Sequence, residues 1–127
     1  MLVFHHIGIA TKDINKTFQW IQVNFKVLKF SKKIYDPNQK AYLMFITTQD
    51  VNIELISGEI VEKLIKKNIT YYHICYEVED IHKAIHSING SMLISNPAPA
   101  PLFEQRKVAF LLTPLGIIEL LESEVKA

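Results

Sequence analysis

An internal repeat is the feature of this sequence that most restricts its fold. The segment "FHHIGIATKDINKTF" at residues 4–18 resembles "YYHICYEVEDIHKAI" at residues 71–85, aligned without gaps. The segment "VNIELIS" at 51–57 likewise resembles "GIIELLE" at 116–122. Chance similarity is a poor explanation because the two pairs of segments occur in the same order. We therefore expect two copies of one folding unit.

Each half of the sequence reads as a strand, a helix and then further strands. Asp13 and Asp80 each follow a β-rich segment and are suited to accept backbone N–H groups in the first turn of a helix. Apolar residues at helical spacing follow both aspartates; they are Ile14, Phe18, Ile21 and Phe25 in the first half, and Ile81, Ala84, Ile85 and Ile88 in the second. The pattern predicts an α+β fold of two tandem βαβββ modules, at approximately residues 1–57 and 70–124.

Two further segments have patterns of their own. The segment 59–68 predicts a short helix with Ile60, Leu64 and Ile65 facing inward. The prolines of "NPAPAPLFEQ", at 96–105, lack the N–H donor that a central strand needs, so this segment is predicted to be a loop.

Composition restricts the class of protein. A chain of 127 residues with 49% hydrophobic residues can form a single domain over residues 1–127. Its formal net charge is +1 and it has no basic cluster, so no nucleic-acid partner is expected. We expect no membrane span because no apolar run approaches the required length. The N-terminal segment lacks the pattern of a signal peptide, which favours a cytoplasmic location.

Two histidines and two glutamates recur at equivalent positions of the two halves. They are His6 and His73, and Glu54 and Glu119. Both glutamates stand mid-strand between large aliphatic residues, where a buried carboxylate needs a cation or a proton. The predicted strands contain few lysines or arginines, so the sequence favours a metal ion. Two imidazoles and two carboxylates suit one divalent ion such as Zn²⁺, Ni²⁺, Co²⁺ or Mn²⁺.

Other interpretations of these residues are open at this stage. The four residues could be two exposed glutamates and two core histidines, repeated only because an ancestral module was duplicated. His82 and His86, four residues apart on a predicted helix, could in principle bind metal, but their expected place is its solvated side. Gly8 and Cys75 follow the two strand histidines by two residues, and their small side chains would leave space for a substrate.

The segments "HHIGIA", "YHICYEVEDI" and "RKVAFLLTPLGIIELLE" resemble the glyoxalase or vicinal-oxygen-chelate superfamily over essentially the whole chain. This resemblance implies a cup-shaped mixed sheet around one divalent metal ion and a homodimer. It places the metal ligands at four positions of this sequence, namely His6, Glu54, His73 and Glu119.

Within that superfamily, two types of isomerase or lyase are candidates. The resemblance is closer to methylmalonyl-CoA epimerases, although "ITYY" replaces the glycine-rich stretch that usually precedes their second-half histidine. The alternative is a glyoxalase I, or lactoylglutathione lyase. In that enzyme an arginine and an asparagine help to hold glutathione, and Ala10 and Gly58 stand at those positions here.

The resemblance also implies a chemistry. A small-molecule carbonyl or thioester substrate would lose a proton α to its carbonyl group, with Glu119 and Glu54 as the catalytic carboxylates. Arg106, the only arginine, together with Phe103 and Tyr71, would contact the substrate. An alternative of another class is a protein of the same fold that binds a small molecule without catalysis.

Overall fold

The computed structural model describes residues 1–124, so the last three residues of the predicted domain 1–127 lie outside the described part. Within that part the chain has few helices and nine strands in parallel and antiparallel pairs, which confirms the predicted α+β class. The strands are β1 Val3–Ala10, β2 Val27–Phe30, β3 Ile34–Asp36, β4 Ala41–Thr48, β5 Asn52–Gly58, β6 Tyr71–Val78, β7 Met92–Ala100, β8 Arg106–Thr113 and β9 Gly116–Glu122. The helices are α1 Ile14–Asn24, α2 Glu62–Lys66 and α3 Ile81–Ser87, with 3₁₀ turns at Glu59–Val61 and Pro101–Phe103.

The chain divides into two compact units. The first unit is His6–Tyr72, and the second combines Met1–His5 with the residues from His73 onward. Strand β1 therefore begins in the second unit and ends in the first. In the described residues, none of the helices is long and apolar enough to cross a membrane.

The first unit packs helix α1 against one face of its strands. Its strand order is β2–β4–β5–β1, with β3 paired to β4, and only β1 and β5 are parallel among these pairs. The buried core between helix and strands consists of Ile14, Ile21, Met44, Ile46, Ile53 and Leu55. Because successive strand residues point to opposite faces, Glu54, between Ile53 and Leu55, faces away from α1.

The second unit repeats this arrangement with helix α3. Its strand order is β6–β9–β8–β7, and β6 and β9 are its parallel pair. The core beneath α3 consists of Val78, Ile81, Ala109, Leu111, Ile118 and Leu120. Glu119 lies between Ile118 and Leu120 in β9, so it also faces away from the helix.

Both predicted helix caps are present. The Asp13 carboxylate accepts the backbone N–H of Lys16 at 3.1 Å, and the Asp80 carboxylate accepts that of Lys83 at 3.1 Å. Each helix begins at the next residue, as the sequence predicts. The predicted apolar stripe of α1 wrongly includes Phe25. The helix ends at Asn24, and Phe25 is 37% exposed.

The short helix at 59–68 is present, but its predicted inward face is partly wrong. Val61 is buried, whereas Ile60 is 42% exposed. The segment begins with a 3₁₀ turn at Glu59–Val61 before α2. A 3₁₀ turn has three residues per turn, so it presents different residues to the core than a continuous α-helix would.

The prediction of a loop at 96–105 is wrong over most of its length. Residues 96–100 belong to strand β7, which has β8 as its only strand partner among the described residues, and only Glu104 and Gln105 lie outside regular structure. The pairing shifts register between Ser95 and Ala98, next to Pro97. Proline is tolerated on an edge strand, where its missing N–H would point to solvent, and at such irregularities.

Candidate functional site

The first unit contains a buried histidine–glutamate pair. His6 lies in β1 and Glu54 in β5, with exposed fractions of 0% and 1%. The Nε2 atom of His6 is 3.5 Å from Oε1 of Glu54. Gly8 is the register partner of Glu54 in the parallel ladder, so His6 lies two residues before that position on the same face. The pair is thus on the face opposite helix α1.

The second unit contains the equivalent pair. His73 in β6 and Glu119 in β9 are 0% and 1% exposed. The Nε2 atom of His73 is 3.1 Å from Oε1 of Glu119. Cys75 is the register partner of Glu119, as Gly8 is of Glu54. The interpretation of these glutamates as exposed residues is therefore wrong: each unit buries its glutamate beside a histidine.

A phenylalanine lies beside each histidine–glutamate pair, and the sequence did not predict this position. Phe45 in β4 is the cross-strand partner of Glu54, and its ring meets that of His6 edge-on, with centroids 5.3 Å apart and planes at 88°. Phe110 in β8 is the partner of Glu119, and its ring meets that of His73 at 5.6 Å and 78°. The internal repeat could have revealed them, because the two phenylalanines have the same spacing along the sequence as the two glutamates.

Arg106 already has a carboxylate partner within the second unit. Its guanidinium forms an ion pair with Glu77, and its Nε–H donates to the backbone carbonyl of Glu122 at 2.9 Å. The Arg106 side chain is 17% exposed and that of Glu77 is 34% exposed. His73, Cys75 and Glu77 follow one another at every second position of β6, so their side chains point to the same face of the sheet. The ion pair therefore lies on the face that carries the histidine. Sequence reasoning did not find Glu77.

The other predicted contact residues differ in their exposure. Tyr71 is 38% exposed at the start of β6 and shares a face with His73. Phe103 is buried in a 3₁₀ turn, where its ring meets that of His5 at 5.6 Å and 88°.

The two helix histidines are exposed on α3, as expected. The Nδ1 atom of His86 lies 2.8 Å from the backbone carbonyl oxygen of His82 and can donate a hydrogen bond to it.

The donor atoms of each pair fit a divalent metal ion. Imidazole nitrogens and carboxylate oxygens bind such ions at about 2.0–2.2 Å, so two neighbouring ligand atoms lie about 3.0–3.5 Å apart. The observed Nε2–Oε1 separations of 3.5 and 3.1 Å agree with that geometry.

Comparisons with known proteins give one matching family model and several similar folds. The model of the family described as the Glyoxalase/Bleomycin resistance protein/Dioxygenase superfamily matches residues 5–110. A crystal structure of a hypothetical protein from Bacillus halodurans C-125 matches with a TM-score of 0.76 and 24% identity, covering 99% of this chain and 97% of that chain. Methylmalonyl-CoA epimerase from Mycobacterium tuberculosis matches with a TM-score of 0.78 and 17% identity, covering 97% and 89% respectively. At these identities the likenesses show the fold alone. Among curated protein sequences, none matches the chain.

Proposed function

Because the chain belongs to the Glyoxalase/Bleomycin resistance protein/Dioxygenase superfamily, we propose that its two histidine–glutamate pairs hold one divalent metal ion in an enzyme that moves a proton α to a carbonyl group. The proposed ligands are His6, Glu54, His73 and Glu119. One observation carries the proposal: each unit buries a histidine nitrogen within 3.5 Å of a glutamate oxygen, at equivalent positions of the repeat.

The types of ligand atom restrict which metal ion can bind and what it can do in the reaction. Two imidazoles with two carboxylates suit Zn²⁺, Ni²⁺, Co²⁺ or Mn²⁺ better than they suit Mg²⁺ or Ca²⁺, which prefer oxygen ligands. When bound, such an ion would polarise the substrate carbonyl group and stabilise the negative charge that develops as the α-proton leaves. The protein's own part is to hold the substrate, to exclude water and to move the proton.

The two glutamates are the proposed proton carriers. A carboxylate oxygen of Glu119 would take the α-proton, so that the C–H bond breaks as an O–H bond forms on Glu119. Glu54 would deliver a proton, carried on the carboxyl oxygen that does not bind the ion, to the opposite face of the same carbon. The substrate is thereby inverted at that carbon and the two glutamates exchange protonation states. Both side chains are almost completely buried, which keeps competing water away from them.

Two positions favour a coenzyme-A thioester over a glutathione adduct. Ala10 is buried and cannot supply the charged contact of the arginine found there in glyoxalase I. Gly58 has a φ of 119°, and a Cβ there would lie 3.0 Å from the backbone oxygen of Lys40. An asparagine at this position would therefore be strained. We accordingly rank a methylmalonyl-CoA epimerase type of reaction above a lactoylglutathione lyase.

Substrate contacts and assembly belong to the same proposal. We propose Tyr71 as a substrate contact, and its exposure on the face of β6 that carries His73 supports this role. Arg106 and Phe103 are weaker candidates, since the guanidinium is paired with Glu77 and the ring is buried. A homodimer and a cytoplasmic location are proposed from the family resemblance.

The decisive experiment is α-proton exchange in D₂O with protein of known metal content. With methylmalonyl-CoA, we expect deuterium to enter at C2 while the configuration scrambles, and with the methylglyoxal–glutathione hemithioacetal we expect little turnover. Fast conversion of the hemithioacetal beside an inert thioester would make the protein a glyoxalase instead. Metal binding and ligand binding without turnover of either compound would favour the non-catalytic alternative.

The substitution Glu119→Gln tests the proton carrier. An amide cannot accept the α-proton, so racemisation of the thioester should fall by about two orders of magnitude or more, the usual contribution of a positioned general base. The exposed Glu104→Gln is the matched control and should racemise the thioester at the parent rate. Parental racemisation by Glu119→Gln would remove Glu119 from the mechanism.

A further inference from the structure

We infer that Phe45 and Phe110 are positioning residues, which hold the imidazole rings of His6 and His73 in the orientation needed for metal binding. The inference rests on the proposed metal centre and concerns how the chain prepares its ligands. Neither phenylalanine would touch the metal ion or the reacting atoms.

The ring contacts are the first observation. Each histidine meets its phenylalanine edge-to-face, at centroid distances of 5.3 Å for His6 and 5.6 Å for His73. The interplanar angles of 88° and 78° lie in the T-shaped range, in which the positive edge of one ring approaches the negative face of the other. Such a contact adds an electrostatic preference for one ring orientation, which an aliphatic neighbour would lack.

The strand register is the second observation. Phe45 and Phe110 are directly opposite Glu54 and Glu119 in their antiparallel ladders. Directly opposite residues have Cβ atoms about 4.5–5.5 Å apart and point to the same face. Each phenylalanine therefore lies beside the glutamate of a pair while its ring contacts the histidine of that pair.

The third observation is that this phenylalanine is present in both units, whereas Phe18, an aromatic residue on the helix-facing side of the first unit, is not duplicated. Phe18 packs on the first unit's core beneath α1, and its counterpart in the aligned repeat is Ile85. The core of the second unit thus accepts an aliphatic residue in place of that ring. The histidine–glutamate face has phenylalanine in both units, which indicates a requirement for an aromatic ring at this position.

The physical reason lies in the freedom of the imidazole. Rotation about the Cβ–Cγ bond is broad for histidine and moves Nε2 through a wide arc. A ring in edge-to-face contact with the imidazole restricts that rotation and favours the orientation in which Nε2 lies near the neighbouring Oε1 atom, at 3.5 and 3.1 Å. Ligands that are already oriented lose less conformational entropy when the metal ion binds.

The test is metal affinity in Phe45→Leu and Phe110→Leu, measured by calorimetric titration of the metal-free full chain with Co²⁺. We expect binding to weaken by about tenfold in each variant, the scale associated with the loss of a partner that orients a ligand. The visible absorption of the bound Co²⁺ should also change, because the imidazoles would bind in altered geometry. Phe45→Tyr keeps the ring and should bind Co²⁺ with parental affinity.

Phe18→Leu is the matched control. Phe18 is half-buried like Phe45, belongs to the same unit and lies on the opposite sheet face, so its loss should lower thermal stability but leave Co²⁺ affinity within about twofold of the parent. Parental affinity and an unchanged Co²⁺ spectrum in both leucine variants would overturn the positioning role while the metal centre stands. An absence of Co²⁺ binding by the parent would instead overturn the proposed function, and this inference with it.

Discussion

At the residue scale, the burial of four ionisable side chains is the feature that most needs a physical explanation. A carboxylate removed from water is costly unless it is paired, and breaking a buried pair by removing one partner typically costs about 3–5 kcal/mol. Each glutamate is paired with a histidine that is itself inaccessible to solvent. A divalent ion shared by such pairs would neutralise the carboxylates and leave the imidazoles in their neutral, metal-binding form.

The first prediction is that His73→Ala weakens metal affinity by at least tenfold. The substitution removes one donor atom and leaves Glu119 without its imidazole neighbour. Titration of the metal-free protein with Zn²⁺ or Co²⁺ measures the change. His86→Ala removes an exposed histidine from α3 and should bind metal like the parent. Equal affinities of His73→Ala and the parent would contradict the ligand assignment.

At the element scale, the helices and the strands of each unit have different structural roles. Helices α1 and α3 each cover the aliphatic face of their strands, and a capping aspartate begins each helix. The opposite face is thereby left for the histidine and glutamate of the unit. Successive side chains of a strand point to opposite faces of the sheet. A glutamate can therefore lie between two aliphatic core residues, because those two residues point to the helix and the glutamate points away from it.

The second prediction concerns the cap of α3. The backbone N–H of Lys83 donates to Asp80 and holds the pKa of that carboxyl below its ordinary value of 3.8. A depressed pKa in the folded state means that the charged cap stabilises above the unfolded pKa, and that this stabilisation is lost as the pH falls through the folded pKa. Asp80→Ala should therefore lower the melting temperature by a few degrees at pH 7.

The pH dependence provides the check on the cap. Thermal unfolding followed by circular dichroism should show the parent and Asp80→Ala converging as the pH falls below about 3.8. Asp50→Ala, at an exposed position between β4 and β5, should melt like the parent at both pH values. A difference between Asp80→Ala and the parent that is the same at pH 7 and in acid would show that the charge of Asp80 is not responsible.

At the scale of the whole molecule, the proposed metal ion would contribute to the stability of the folded chain. An ion that binds only the folded protein stabilises it by mass action. The contribution is about 2.7 kcal/mol when the free ion is at a hundredfold excess over its dissociation constant. Metal binding and folding are therefore expected to be coupled in this protein.

The third prediction is that metal removal lowers the melting temperature. Without the ion each buried histidine–glutamate pair would lose its proposed metal partner, and differential scanning calorimetry before and after chelation measures the loss of stability. Re-addition of Zn²⁺ or Co²⁺ should restore the transition. The double variant His6→Ala and His73→Ala should melt at the same temperature with and without chelator. An unchanged melting temperature in the parent after verified metal removal would oppose the metal centre.

The sequence by itself determined the features that depend on neighbouring residues. The repeat could be read from the sequence directly, and the caps Asp13 and Asp80 and the sheet faces of Glu54 and Glu119 follow from patterns a few residues long. Capping joins residues three positions apart, and strand faces alternate with a period of two. Such interactions are present in any segment that adopts the element, so the pattern predicts them without knowledge of the rest of the chain.

Only the tertiary structure decided which distant residues meet. The pairing of Arg106 with Glu77 joins residues 29 positions apart, and the places of Phe45 and Phe110 opposite the glutamates depend on the register of antiparallel strands. The edge position of β7, which admits Pro99, is likewise a property of the sheet and not of the segment. Register and strand order arise from the packing of whole faces, because a slip of one residue would move every side chain of a strand to the opposite face of the sheet.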